Sequence, residues 1–485
     1  MEENLNENMN QNETAQETAA SSEVPVRRRR QKTKAEIFKE TTLPLIILGV
    51  SAVLILVFIV GSVARGIQKN RINREASIAV SESIAEEEAR LSSEIETILT
   101  KSEALAAGYA YDEAIALIDS FSGNIGGYPE LQDARARFEY SKQAMVLWED
   151  PATIINLSFQ TLIADPERAY SHPEWGYSLL KNYLTTDEFR NILQRLYDAD
   201  YILVGMDDFV QASTGDNGAT TFAYKELYLP QGKKPIMLTN TNVNYPIYLV
   251  DSDGDMLADK GGVGIASKLV LDSNGNVVCE MVNADGTTSV GAYDFIPILD
   301  EFVKEHPDFS YGGSKATIAL SGYNGLFGYR THAAGRAVFG AEAYQKDVQS
   351  VQAIAAALQE SGYELGYYTY ENSAYGKHGL SLIQSEMNSW NAEVVPILGN
   401  LDTMVFAQES DIESSMQYTS DKFNYLKSCG FNYFLGYGLE GVSYTYIDPN
   451  YVRQGRLMVN GNYITYKSSW YSTIFDTEDV LIYGR

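Results

Sequence analysis

The chain has few of the side chains that bind soft metals. Its 485 residues include two cysteines, Cys279 and Cys429, which stand 150 positions apart and outside any CxxC or Cys/His pattern. This spacing indicates neither a disulfide framework nor a structural zinc site. We expect two separate core residues, with one long-range disulfide as the alternative in an exported domain. The four histidines are scattered too: no two lie closer than 26 residues, so the chain contains no His-x-x-x-His pair.

Basic side chains are scarce relative to acidic ones over most of the chain. The formal net charge is −27, and residues 1–65 contribute nothing to it because they hold eight acidic and eight basic residues. The remaining residues carry the whole excess, which should repel nucleic acid and anionic lipid. The 45% hydrophobic content, in contrast, is enough for a large core and for two or three domains.

One long stretch lacks charge altogether. Residues 43–64 (LPLIILGVSAVLILVFIVGSVA) are 22 uncharged residues, and a helix of that length spans roughly 30 Å of hydrocarbon. We therefore predict a transmembrane helix in preference to a buried helix of a soluble domain. Because 42 residues precede it, the segment starts too late for a cleavable signal peptide, and we predict an uncleaved anchor.

Basic residues are distributed unequally around this segment. Seven stand before it and four after it, which predicts a cytoplasmic N-terminus and an extracellular C-terminal domain at the cell membrane. The run Arg27–Arg30 then serves as a topology signal rather than as a nucleic-acid patch. Residues 1–42 otherwise hold few large apolar side chains, so we expect a disordered cytoplasmic tail.

Residues 65–150 are predicted to form a helical stalk. Apolar residues recur at helical spacing across residues 75–121 without a proline. Gly108, Tyr111 and Ala114 match the small-aromatic-small spacing of a tetratricopeptide hairpin, and residues 130–148 supply a second helix. One hairpin cannot bury a solenoid face, so a spacer that packs on the next domain is favoured over a peptide-binding module.

From residue 151 to the end, short β-branched and aromatic runs alternate with amphipathic helices. This pattern is typical of an α/β domain with a mostly parallel sheet. About eight strands favour a closed (β/α) barrel, with functional residues at the C-terminal strand ends. The predicted strands are 155–163, 201–206, 235–240, 316–321, 363–370, 403–406, 432–436 and 480–483. The predicted helices are 185–198, 295–306, 343–361, 379–390 and 420–429, and the first of them begins at a Thr-x-x-Glu capping box formed by Thr185 and Glu188. A hairpin is predicted over 268–282, turned by Asn274-Gly275.

The order of these segments resembles that of NodB-homology polysaccharide deacetylases, in the variant found on membrane-anchored, wall-facing proteins of Gram-positive bacteria. The resemblance covers most of residues 151–485 and includes INLSFQTLI, TTDEFRNILQRLYDADYILV, KKPIMLTNTNVNY and KLVLDSNGNVV. It implies a divalent metal, zinc or similar, held by one Asp and two His. The ion would activate water against an N-acetyl carbonyl, with a second Asp as the base.

The positions that match these groups hold none of them. The Asp pair falls on Thr241 and Asn242, and the His pair falls on Tyr368 and Asn372. The usual Phe-Arg/Tyr-Pro-x-Gly segment has become FAQES at residues 406–410. We therefore expect no bound metal or other cofactor, and no residue stands out as catalytic.

Two acidic motifs offer weaker alternatives. Asp207-Asp208 is a candidate for a displaced Asp pair, although a solvated strand end is the favoured interpretation. Asp251, Asp253, Asp255 and Asp259 imitate a calcium loop. However, methionine stands at position 256, where an EF-hand turn needs glycine, and glycine stands at position 262, where it needs glutamate. We expect an acidic surface loop.

Three functions remain open on the sequence alone. The first is a metal-free pseudoenzyme that holds a cell-wall glycan or an envelope partner protein, since many of the 34 tyrosines could face sugar rings instead of the core. The second is an active N-acetyl-sugar deacetylase with a rebuilt site, and the third is an architectural envelope scaffold. The candidate ligand-binding residues are Asn242, Tyr368, Tyr370 and Arg330, the last of which pairs either with an anion or with a local carboxylate.

Overall fold

The computed structural model describes residues 68–216, 218–438 and 441–484, with side chains from residue 79 onward. The predicted tail (1–42) and the predicted transmembrane segment (43–64) lie outside these residues. Among the residues that are described, no helix combines the length and the apolar character needed to cross a membrane.

Seven parallel strands in the described part of the chain close into a barrel. They are β1 (Ile155–Gln160), β2 (Lys234–Thr241), β3 (Thr317–Leu320), β4 (Glu364–Tyr368), β5 (Thr403–Val405), β6 (Tyr433–Tyr437) and β7 (Tyr451–Met458). Each strand pairs with the next along the chain, and β7 pairs with β1 to complete the ring. The predicted α/β barrel is confirmed, with seven strands in the ring rather than eight.

The remaining elements surround this ring. The outer strands are Val146–Leu147, Tyr201–Leu203, Val210–Thr214, Thr220–Tyr224, Tyr228–Leu229, Lys268–Leu271, Val277–Val282, Thr288–Gly291 and Tyr444–Asp448. The helices are Gln68–Ala107, Tyr111–Asp119, Pro129–Gln143, Pro166–Ser171, Gly176–Asn182, Thr186–Asp198, Met206–Phe209, Ile247–Val250, Phe295–Glu305, Ala333–Glu360, Leu380–Glu393, Val395–Leu398, Asp421–Ser428 and Gly461–Tyr466. The predicted hairpin is present and gains a third strand, Thr288–Gly291.

Alternation along each strand separates two environments. Apolar residues that face outward pack under the helices: the ring of Phe159 on β1 lies 5.0 Å from that of Phe189 and 5.6 Å from that of Phe295. Helix Thr186–Asp198 starts at the predicted capping box, in which the Glu188 amide donates to Thr185 Oγ1 and the Thr185 amide donates to Glu188 Oε2.

Some of the residues that face into the barrel are polar, and several of them form hydrogen bonds with one another. Asn156 Nδ2 donates to Gln454 Oε1 at 2.6 Å, and Thr239 Oγ1 donates to Asn156 Oδ1 at 2.9 Å. Gln454 Nε2 donates to Thr445 Oγ1 at 3.0 Å. A satisfied buried network of this kind joins β1, β2 and β7 across the barrel interior.

Three predicted strands differ most from the structure. The strand predicted over 155–163 ends at Gln160. Residues 480–483 form no strand: Val480 is buried, its carbonyl accepts from Asn191 Nδ2, and the Ile482 amide donates to Glu188 Oε1. This apolar run therefore covers a helix, and β7 takes its place in the ring. The strand predicted over 201–206 ends at Leu203, because residue 206, the last of the predicted strand, is the first residue of helix Met206–Phe209.

The stalk helices Gln68–Ala107, Tyr111–Asp119 and Pro129–Gln143 share an apolar cluster of their own, which includes Ile98, Ala114, Ile118, Leu131 and Phe138. This region is thus helical as predicted, whereas its role as a stalk and its likeness to a tetratricopeptide hairpin stay predictions. Cys279 is buried and Cys429 is partly buried, and both are free thiols.

The stalk joins the N-terminal end of the barrel. The Gly312 amide donates to the Gly108 carbonyl at 2.7 Å, and the Tyr109 hydroxyl donates to the Asp308 carbonyl at 2.7 Å. The ring of Tyr109 also stacks on that of Tyr311, with centroids 6.1 Å apart. Residues 308–312 lead into β3, so this junction lies at the end of the barrel where the strands begin.

Candidate functional site

Unusual backbone conformations concentrate where the barrel strands end. Ten non-glycine residues of the described chain have a positive φ. Seven of them lie within seven residues after a barrel strand, namely Asn242, Tyr245, Asn324, Phe327, Asn372, Gln408 and Glu409. Such conformations are costly and collect at functional sites. We call the C-terminal strand ends, with Ser158, Thr241, Tyr368, Tyr437 and Arg456, the mouth of the barrel.

Thr241 and Asn242, which match the family's Asp pair, hold strand ends together. Thr241 is buried, and its hydroxyl donates to the Phe159 carbonyl at 3.0 Å. Asn242 has a φ of 64°, its amide donates to the Ala319 carbonyl at 3.0 Å, and its Oδ1 accepts from Ser321 Oγ at 3.1 Å. Neither residue offers a carboxylate, so neither can act as base or as anionic metal ligand.

Tyr368 and Asn372, which match the His pair, lie at the end of β4. Tyr368 is 5% exposed, and burial raises the pKa of its hydroxyl well above the usual range, helped by the neighbouring Tyr437. Asn372 has a φ of 59°, and its carbonyl accepts from Gln408 Nε2 at 2.8 Å. Its Oδ1 is buried and has no hydrogen-bond partner among the described residues. All four predicted positions therefore lie at or after the C-terminal ends of β2 and β4, and β3 stands between these two strands.

Arg456 on β7 is a residue of the mouth that the sequence analysis missed. Its side chain is almost fully buried, at 1% exposure. Nε donates to the Gly436 carbonyl at 3.1 Å, Nη1 to Ser158 Oγ at 2.7 Å and Nη2 to the Phe406 carbonyl at 2.7 Å. The guanidinium carbon lies 4.8 Å from the centre of the Tyr437 ring. Arg456 also interacts electrostatically with Tyr368, so a positive charge stands inside the mouth.

Arg330, predicted to pair with an anion or with a local carboxylate, contacts backbone carbonyls and no carboxylate among the described residues. Its Nε donates to the Met256 carbonyl at 2.9 Å, and its Nη1 donates to the carbonyls of Tyr245 and Asn324 at 3.1 and 3.2 Å. Burial lowers the pKa of this guanidinium to about 10. Arg330 therefore clamps the loops that follow β2 and β3.

Tyr370, another predicted ligand-binding residue, is buried in the wall beside the mouth. Its hydroxyl donates to Glu393 Oε2 at 2.5 Å. Its ring covers Gly322 so closely that a Cβ there would lie 2.1 Å from Cε2. Packing therefore accounts for this residue.

The two acidic motifs have structural roles. Asp208 Oδ2 accepts from the Gly205 amide at 2.8 Å and from Ser314 Oγ at 2.6 Å. Because Ser314 precedes β3, the Asp207-Asp208 pair lies at the opposite end of the barrel from the mouth, which argues against a displaced catalytic pair.

The acidic loop brings three carboxylates together. Oxygens of Asp251, Asp253 and Asp259 approach within 4.8 Å of one another, a spacing that could hold a cation. Asp251 Oδ1 already accepts from the amides of Asp253 and Gly254, at 2.9 and 2.7 Å. Met256 adopts a φ of 69°, the conformation that the glycine of a calcium loop supplies. These bonds give the loop its shape without an ion.

Aromatic side chains stand above the mouth on the connections that follow the strands. Helix Gly176–Asn182 is held over the end of β1 by Gln160 Nε2, which donates to the Asn182 carbonyl at 2.7 Å. Lys181 Nζ lies 5.4 Å from the ring centre of Tyr177 and 5.2 Å from that of Tyr466, which follows β7. The rings of Trp175 and Tyr248 are 5.3 Å apart. We call Trp175, Tyr177, Tyr248 and Tyr466 the aromatic rim; Tyr177 is 75% exposed and Tyr466 is 61% exposed.

No protein-family model matches the chain, and no curated protein matches it. Among solved structures the chain is similar to the Streptococcus pyogenes deacetylase PplD in complex with acetate, with 12% sequence identity and a TM-score of 0.31 over 64% of this chain and 94% of that chain. Likeness at this level says nothing about chemistry. The closed parallel barrel itself fits the deacetylase-like fold that the segment order predicts.

Proposed function

We propose that the barrel is a metal-independent binding domain, which takes a cell-wall glycan at its mouth without hydrolysing it. The observation that carries this proposal is the position of Arg456, a cation fixed by three hydrogen bonds among the strand ends. A guanidinium at this point disfavours a divalent ion electrostatically. The four positions that match the family's ligands and base offer no carboxylate or imidazole, so the residues present do not fit the family's metal.

The aromatic rim favours a saccharide as the ligand. Exposed tyrosine rings present flat apolar faces with a hydroxyl group at the edge, which suits the faces of sugar rings. The acidic balance of the chain disfavours nucleic acid and anionic lipid as ligands. We propose further that residues 43–64 anchor the chain in the cell membrane, with the barrel on the outer side facing the wall.

Co-sedimentation of the full-length chain, in detergent, with purified cell-wall peptidoglycan tests the proposal. The double variant Tyr177→Ala/Tyr466→Ala should bind at least about tenfold more weakly, because stacking on an aromatic ring contributes on the order of 1 kcal/mol per ring. Tyr140→Ala is the matched control, since Tyr140 is also 75% exposed but lies on the stalk.

Two results would contradict the proposal. Failure of the unaltered chain to sediment with the wall would favour a protein partner or a scaffold role. Release of acetate from N-acetylglucosamine oligomers by the unaltered chain would favour the active deacetylase with a rebuilt site.

A further inference from the structure

Four basic side chains of the described residues are buried: Lys315, Arg330, Arg453 and Arg456. Lys315 forms an ion pair with Asp300, and Arg453 forms one with Asp411. Arg330 lacks an ion pair, but Asp251 and Asp347 favour its charged form through space. Within the described part of the chain, the hydrogen bonds of Arg456 go only to two backbone carbonyls and one serine hydroxyl.

A buried charge without a counter-charge is unfavourable, and an anion that enters its site relieves the cost. A guanidinium has five N–H donors. Arg456 uses one on Nε, one on Nη1 and one on Nη2. One N–H group on each terminal nitrogen has no acceptor among the described residues, and donors on the two terminal nitrogens can bind the two oxygens of a carboxylate.

We infer that the mouth recognises a carboxylate carried by the glycan, and that Arg456 receives it. This inference rests on the proposed function and narrows the ligand to an acidic saccharide. The half-buried Tyr437 ring lies against the guanidinium. The inference therefore requires this ring to move outward when the ligand binds. Lys181, between the exposed rings of Tyr177 and Tyr466, gives the same face a second positive charge that attracts an acidic chain.

Two disaccharides that differ in one carboxylate test this inference on the full-length chain in detergent. The first is N-acetylglucosaminyl-N-acetylmuramic acid, and the second is chitobiose, which has the same rings and N-acetyl groups without the lactyl acid. Calorimetry should show at least about tenfold tighter binding of the first, since charge-assisted hydrogen bonds are roughly twice as strong as neutral ones. The preference should shrink as sodium chloride rises from 50 to 500 mM.

The variant Arg456→Gln should lose this preference and bind the two disaccharides with affinities within about twofold of each other. Arg190→Gln is the matched control, because it removes the same charge from an exposed helix surface and should keep the preference. If Arg456→Gln does not fold, the preference of the unaltered chain and its dependence on salt still decide the matter.

Four results would overturn the inference. Equal binding of the two disaccharides would show that the mouth binds glycan without recognising the carboxylate. Binding of neither disaccharide would contradict the proposed function itself. Tighter binding of glycerol phosphate than of muramic acid would make phosphate the recognised group. Glu440 lies outside the described residues, two positions after Gly438, whose amide donates to the Arg456 carbonyl. If Glu440→Gln lowers the melting temperature as much as Arg456→Gln does, the counter-charge comes from the chain itself.

Discussion

The hydroxyl group of Tyr245 donates a 2.7 Å hydrogen bond to Oδ2 of Asp294, and both side chains are buried in the main apolar core. The other oxygen of Asp294 accepts from the amides of Leu162 and Phe295, at 2.9 and 2.8 Å. One carboxylate thus joins the loops after β1 and β2 to the start of helix Phe295–Glu305. Burial raises the pKa of Asp294 from 3.8 to about 6, in spite of these three bonds.

The raised pKa of Asp294 predicts a pH-dependent stability. Because the folded state binds the proton more tightly than the unfolded chain, the free energy of unfolding falls as pH rises from about 4 to about 6. The full penalty above that range is ~3 kcal/mol. Asp294→Asn should remove this dependence, so its stability relative to the unaltered chain should increase between pH 4 and pH 7. Urea unfolding at several pH values measures the difference in the free energy of unfolding between the variant and the unaltered chain. A difference that stays constant with pH would contradict the prediction. The exposed Asp207→Asn is the control.

Arg330→Met should release the loops that Arg330 clamps. The change removes three buried hydrogen bonds to backbone carbonyls, and we expect a loss of about 3 kcal/mol or more in the free energy of unfolding. Hydrogen exchange should become faster in residues 245–258 and stay slow in β5 and β6. Arg336→Met, an exposed position on the next helix, should change neither quantity. A global loss of stability with unchanged exchange in the loop would show that the clamp is not its cause.

The purified chain should contain far less than one equivalent of metal, and a chelator should not shift its melting temperature. Restoring the family's groups with Thr241→Asp, Asn242→Asp, Tyr368→His and Asn372→His should give only weak zinc uptake while the guanidinium remains. Adding Arg456→Met should strengthen zinc binding by at least about tenfold, because it removes a like charge from the site. Elemental analysis and zinc titration measure both steps. Stoichiometric metal in the unaltered chain would overturn the metal-independent proposal.

Protease added to intact cells or protoplasts should degrade the barrel, if the basic residues around segment 43–64 set the orientation. A tag before residue 1 should stay protected until the membrane is opened. Full protection of the barrel in intact protoplasts would contradict the predicted topology.

The sequence predicted those elements whose signals are local. The capping box at Thr185 and Glu188 sets a helix start, the Asn274-Gly275 turn sets a hairpin, and apolar runs mark β1 to β6. β7 was not predicted from the sequence, because Arg453, Gln454 and Arg456 interrupt its apolar pattern. Several of their hydrogen bonds go to partners distant in the chain, such as Asn156 and Ser158, and no local sequence pattern indicates such partners. Arg456 was not predicted as a site residue for the same reason. Segment order did name four positions at or after the ends of β2 and β4, namely Thr241, Asn242, Tyr368 and Asn372.

The junction between stalk and barrel has a mechanical consequence. Gly108 and Tyr109 attach the stalk where the strands begin, whereas the mouth opens where they end. Helix Gln68–Ala107 is 40 residues or about 60 Å long. If residues 43–64 anchor the chain in a membrane as proposed, a polymer bound at the mouth would pull on the barrel along its axis. Tension on the polymer would then pass through the covalent connection from helix Pro129–Gln143 to β1, and through the contacts of Gly108 with Gly312 and of Tyr109 with Tyr311. These few contacts should break before the hydrogen bonds of the closed ring of strands do. The barrel would then turn relative to the stalk while the mouth stays intact and the polymer stays bound.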